Sequence, residues 1–187
     1  MTKICTLFAL LILLSVSVVA QENHQPQWFV SGGASSVIAI NGSSNTSLGA
    51  KLSGGVWLNG YTGFRLNVEA GNIWMKDDLT SLNYGASLDW MANLLSTSVR
   101  DQDKFSLIAL FGVGVTHYEL DDDYSPLYSK INGVSINMSL QAAFKLSPKL
   151  SFFIEPGLKI NPKFYDLEHK HDPYMNFSAS AGVTYNF

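Results

Sequence analysis

Between residues 175 and 187 every odd position is apolar: Met175, Phe177, Ala179, Ala181, Val183, Tyr185 and Phe187. The even positions are Asn176, Ser178, Ser180, Gly182, Thr184 and Asn186. A period of two is the signature of a strand with one apolar and one polar face. Residues 134–146 repeat it, with Val134, Ile136, Met138, Leu140, Ala142, Phe144 and Leu146 on the apolar side. Residues 82–94 do so again, with Asn83, Ser87, Asp89 and Asn93 opposite. Each run exceeds the roughly 9–11 residues that a tilted strand needs to cross a bilayer, and the five or six usual in soluble sheets, about half that length. Less regular segments at 28–40, 48–58, 62–74, 105–117 and 150–160 bring the expected total to eight strands. The fold class expected is all-β, an eight-stranded antiparallel up-and-down transmembrane β-barrel.

The connections alternate in character. Asn59-Gly60-Tyr61 and Ser147-Pro148-Lys149 carry tight-turn chemistry, and 96–104 is a longer polar link. The segments 41–47, 75–81, 118–130 and 161–174 are longer and hydrophilic. Barrels of this kind keep short turns on the periplasmic side and long loops outside. The first three are therefore expected to face the periplasm, and the other four to be extracellular loops.

A soluble barrel would also alternate, but its exterior would be charged. Here the strand charges fall on the polar face instead: Lys51, Arg65, Glu69, Asp89, Lys145, Glu155 and Lys159, four positive and three negative. Eight strands enclose a space that side chains just fill, and unpaired ions there are costly. These seven residues are expected to form barrel-interior ion pairs in a plugged lumen rather than a wide pore. Trp28, Trp74, Tyr118, Tyr185 and Phe187 lie near strand ends, where aromatic girdles meet the water interfaces. Trp90 and Phe111 lie deeper, as lipid-facing bulk.

The N-terminus sets the compartment. Lys3 precedes an apolar run from Leu7 to Leu14, then Ser15, Ser17 and Val18-Val19-Ala20. This is the pattern of a secretory signal peptide, expected to span 1–20 and to be cleaved. Residues 21–187 then form one barrel domain in a bacterial outer membrane, expected to be a monomer embedded in outer-membrane lipid. No later segment supplies the roughly 20 consecutive apolar residues of a membrane-spanning helix. The chain has 12 Lys and Arg against 15 Asp and Glu, an acidic balance that argues against nucleic acid as a partner. Its single cysteine, Cys5, lies within the signal segment, which leaves no disulfide or thiol chemistry.

Three segments resemble the OmpA/OmpX-like family of eight-stranded outer-membrane barrels. They are Phe111-Gly112-Val113-Gly114, Leu150-Ser151-Phe152-Phe153-Ile154-Glu155 and the terminal Gly182-Val183-Thr184-Tyr185-Asn186-Phe187. The resemblance spans 21–187 as a pattern, and the last motif is its most specific part. It implies that Tyr185 and Phe187 form the insertion signal read by the outer-membrane insertion machinery. Larger OmpA proteins continue into a peptidoglycan-binding domain, whereas this chain stops at the barrel, so wall tethering is not implied.

Catalytic chemistry has few candidates. His117 ends the fifth strand beside Thr116, with Glu119 nearby, but no serine stands two residues away on its face. His24 lies in the leader. Asp166, Glu168, His169, His171 and Asp172 could bind a transition metal in principle, yet their spacing matches no firm site. Glu119, Asp121, Asp122 and Asp123 offer oxygen ligands without the glycine turn of a calcium loop. No cofactor is expected. The function expected is non-enzymatic, structural or surface-interacting. Contacts with a host or surface protein would run through the four loops and Tyr118, Tyr124, Tyr128, Tyr165 and Tyr174. The alternatives are an outer-leaflet lipid-modifying hydrolase using His117, and a narrow channel for small solutes.

Overall fold

The computed structural model describes residues 26–39, 46–74, 80–95, 104–119, 130–161 and 174–187. The signal segment, most of the loop residues with their acidic, histidine and tyrosine groups, and the link after residue 95 lie outside the described residues. So do the side chains of Trp74, Tyr118, Glu119 and Tyr174. Eight strands run β1 Gln27–Ala39, β2 Thr46–Trp57, β3 Thr62–Trp74, β4 Thr80–Asn93, β5 Phe105–Glu119, β6 Lys130–Lys145, β7 Leu150–Asn161 and β8 Tyr174–Asn186. Each pairs antiparallel with the next, and β1 pairs with β8 from Phe29↔Asn186 to Ala39↔Asn176, closing the barrel.

The β5–β6 hairpin is longer than the hydrophobic pattern implies. Pairing continues through His117↔Asn132 to Glu119↔Lys130, into residues read above as loop. Backbone hydrogen bonds sustain a ladder whatever the side chains, so alternating hydrophobicity marks the span of the apolar belt rather than the end of the strand.

The two faces are inverted relative to a soluble protein. Leu52, Leu66, Leu88 and Val113 point outward and keep more than half of their surface exposed. Arg65, Asn67, Asp89 and Glu155 point inward and are buried. Exposed aliphatics around buried charges suit a hydrocarbon solvent outside and a polar lumen within.

The lumen is not polar throughout. Phe29, Trp57, Met91, Ile108 and Leu110 pack into a buried cluster among the inward-facing residues, with the Phe29 and Trp57 ring centroids 6.4 Å apart. All lie toward the end where the short turns join the strands. Gly55, paired with Phe29, leaves the space that the Phe29 ring fills. These inward apolar groups explain why the alternation is blurred in β1, β2 and β5.

Candidate functional site

Above the apolar cluster, six charged side chains converge in the lumen. Arg65 is the hub. Its Nη2 donates to Asp89 Oδ2 at 2.7 Å and to Glu155 Oε1 at 3.0 Å. Its Nη1 donates to Glu155 Oε2 at 2.8 Å and to Gln141 Oε1 at 3.0 Å. A planar guanidinium with several fixed donors can serve two carboxylates and an amide at once.

Asp89 also accepts from Asn67 Nδ2 at 2.6 Å and from Ser87 Oγ at 3.2 Å. Glu155 accepts from Lys51 Nζ at 2.8 Å and from Ser139 Oγ at 3.0 Å. Lys159 donates to Glu69 to complete the set. Lys51, Arg65 and Lys159 thus face Glu69, Asp89 and Glu155, and the formal charges cancel. Backbone spacing matters as well: Asp89 pairs with Gly112, and a Cβ at 112 would occupy the place of the Asp89 carboxylate.

Strand register alone does not give these partners. Arg65 and Asp89 are directly paired across β3 and β4. Lys51, however, lies opposite Glu69 in the β2–β3 ladder yet bonds Glu155 across the lumen, while Lys159 of β7 takes Glu69. Lys145 stands outside the network. It ends β6, four residues beyond Gln141 or about 13 Å along the strand, and it has no ion-pair partner among the described residues. It lines the turn-end vestibule with Gln27, Asn93 and Gln141.

Two spaces of mixed polar and apolar lining flank the Arg65 layer. One lies on the loop side, about 50 Å³, lined by Lys51, Glu69, Ser135, Glu155 and Lys159 among others. The turn-end vestibule is about 80 Å³. Spaces of this size hold a few waters. The ion network lies between them, and Phe29, Trp57, Met91 and Ile108 of the apolar cluster line the vestibule. The neutral ligands Asn67, Ser87, Ser139 and Gln141 were not singled out by sequence reasoning as members of the network. They share the inward parity of the charges, which is the signal that could have found them.

His117 lies on the outer surface, its ring 4.6 Å from that of Tyr84. The adjacent Thr116 is buried on the lumen side, so the two residues face opposite ways and do not form a hydroxyl–imidazole relay. Among the described residues, no three His, Cys, Asp or Glu side chains gather as metal ligands.

The closing strand is fixed at its end. The Phe187 amide donates to the Trp28 carbonyl at 3.0 Å and that of Asn186 to Lys149 at 2.8 Å. Tyr185 and Phe187 meet edge to face at 5.3 Å, both exposed on the outer surface. Lys149 Nζ lies 5.9 Å from the Tyr185 ring centroid. Trp90 is nearer the turn-end rim than its sequence position suggests. Its indole N–H donates to the hydroxyl of Thr62, the first residue of β3, at 2.7 Å, so the tryptophan has a polar anchor beside the turn.

No protein-family model matches the sequence, and no curated protein matches it. The fold does have solved counterparts. Neisserial surface protein A superposes with a TM-score of 0.69 at 12% identity, covering 88% of this chain and 100% of that one. A major outer membrane protein from Thermus thermophilus gives 0.62 at 16% identity, with 88% and 100% covered. The Ail attachment invasion locus protein of Yersinia pestis, in complex with the heparin analogue sucrose octasulfate, gives 0.53 at 14%, with 87% and 97% covered. The chain has the eight-stranded barrel fold of OmpA/OmpX-like outer-membrane proteins.

Proposed function

We propose that this protein is a non-enzymatic resident of a bacterial outer membrane, exported with a cleaved segment 1–20 and monomeric in the bilayer. Its lumen is filled by side chains, and its role is structural or surface-interacting through four extracellular loops. The observation that carries this reading is the neutral, interlocked ion network inside a wall whose exterior is apolar. Such a wall belongs in lipid, and such a bore is poorly suited to bulk solute flow. Ail, a barrel of this fold solved in complex with a heparin analogue, supports a surface-interacting role.

Protein from the outer-membrane fraction is expected to migrate differently on a gel before and after boiling, and to give no large steady conductance in planar bilayers. A soluble periplasmic protein without a heat shift would overturn the location, and a stable large conductance would overturn the plugged lumen.

Tyr185 and Phe187 serve as the insertion signal in this reading. Before β1 pairs with it, β8 would offer these rings and a regular alternating strand edge to the insertion machinery. The double variant Tyr185→Ala, Phe187→Ala is expected to lower the heat-shifted, membrane-assembled fraction at least several-fold in cells. It should still fold when diluted from urea into detergent. Equal loss in both settings would assign these rings to stability instead.

A further inference from the structure

Seven of the eight strand seams pair without a break, but β6–β7 does not. Its ladder runs from Ile136↔Ile160 to Ser139↔Gly157 and resumes at Ala142↔Ile154. The missing rungs are those that would join Leu140 to Pro156 and Gln141 to Glu155. Proline has no N–H to give, and on its other side Pro156 keeps its rung with Ala179 of β8. The gap therefore faces β6, where the Leu140 carbonyl loses its donor. Leu140 and Pro156 are both exposed on the outer surface, so the defect lies in the apolar belt itself.

The lumen side of the same gap is not empty. Gln141 and Glu155, the two residues of a missing rung, are both bonded by one atom, Arg65 Nη1, at 3.0 and 2.8 Å. Arg65 belongs to β3, across the bore. A guanidinium therefore joins β6 to β7 beside the one backbone bond that Pro156 cannot make. Ser139 Oγ, also on β6, adds a second side-chain link to Glu155.

We infer that β6–β7 is a latched seam, the place where the barrel wall parts most readily, held shut from inside by Arg65 through Gln141 and Glu155. Releasing the latch would open a lateral gap between the polar lumen and the bilayer. Separation elsewhere would have to break continuous ladders. This goes beyond a static plug, because it gives the central cation a role in one particular seam.

The test is amide hydrogen exchange, read by residue on the barrel in lipid nanodiscs. In the parent protein, the amides of Leu140, Ala142 and Ile154, which face this seam, are expected to exchange at least tenfold faster than those facing each other across β1–β8. Gln141→Leu and Arg65→Lys, which weaken the latch without removing a cation, should each raise exchange at β6–β7 about tenfold further and leave β1–β8, which Arg65 does not bond, unchanged. Pro156→Val, which supplies the missing N–H on an outward position, should bring the seam to the level of its neighbours. Uniform exchange in the parent protein, an equal rise at every seam, or no slowing with Pro156→Val would each overturn the inference. Should Arg65→Lys fail to assemble, the Gln141→Leu and Pro156→Val arms decide it.

Discussion

Replacing Arg65 by Met is expected to destabilise the barrel by about 3–5 kcal/mol, the range for removing one partner from a buried ion pair. Asp89 and Glu155 would then lie in the bore without the cation that binds both of them. Lys51 still serves Glu155, but Asp89 keeps only neutral donors, Asn67 and Ser87. The formal balance of three cations and three carboxylates would fall to a net negative lumen. Adding Asp89→Asn removes that excess, so the double variant Arg65→Met, Asp89→Asn should recover a large part of the loss. Urea titrations in lipid vesicles, followed by the heat-shifted gel band, measure both. A double variant no more stable than the single one would show that the loss comes from packing around Arg65 rather than from stranded charge.

The second large effect is on the outer wall. Leu88 faces outward near the middle of β4, with Leu66 and Val113 as its lateral neighbours. Leu88→Arg is expected to cost about 2–4 kcal/mol, the penalty for a cation at the bilayer midplane. Phe105 opens β5 at the turn end, also on the outer face. Phe105→Arg should cost no more than about 1 kcal/mol from the charge, since the penalty fades toward the interface. The contrast between the two positions is the informative quantity. The same titration in vesicles gives it, and equal penalties at both would mean that the apolar belt is not aligned with the hydrocarbon layer.

Much of this architecture was legible before any fold was known, because a strand's side chains alternate strictly from face to face. In β4, β6 and β8 that rule alone separated outward Leu88, Met138 and Val183 from inward Asp89, Asn137 and Gly182. The inward parity of Arg65, Glu69, Glu155 and Lys159 followed from the same rule in less regular strands. It failed to show the apolar cluster. Phe29, Trp57, Ile108 and Leu110 look by composition like lipid-facing residues, and only their position in the closed wall turns them inward. It also missed the extra length of β5 and β6, where polar side chains ride on a backbone ladder.

By itself, then, the sequence determined the number of strands, the identity of each face and the inward side on which the strand charges lie. All of these depend on order along a single strand. Partnership was decided by the tertiary structure. Closing eight tilted strands brings β2 and β7 face to face across the lumen, so Lys51 reaches Glu155 in preference to the Glu69 beside it, and Lys159 takes Glu69. The same closure leaves Lys145 by the turn and sets Arg65 behind the one interrupted seam. Pattern along a chain is one-dimensional and local, whereas a bond across a barrel depends on curvature, tilt and stagger summed over every strand between its ends.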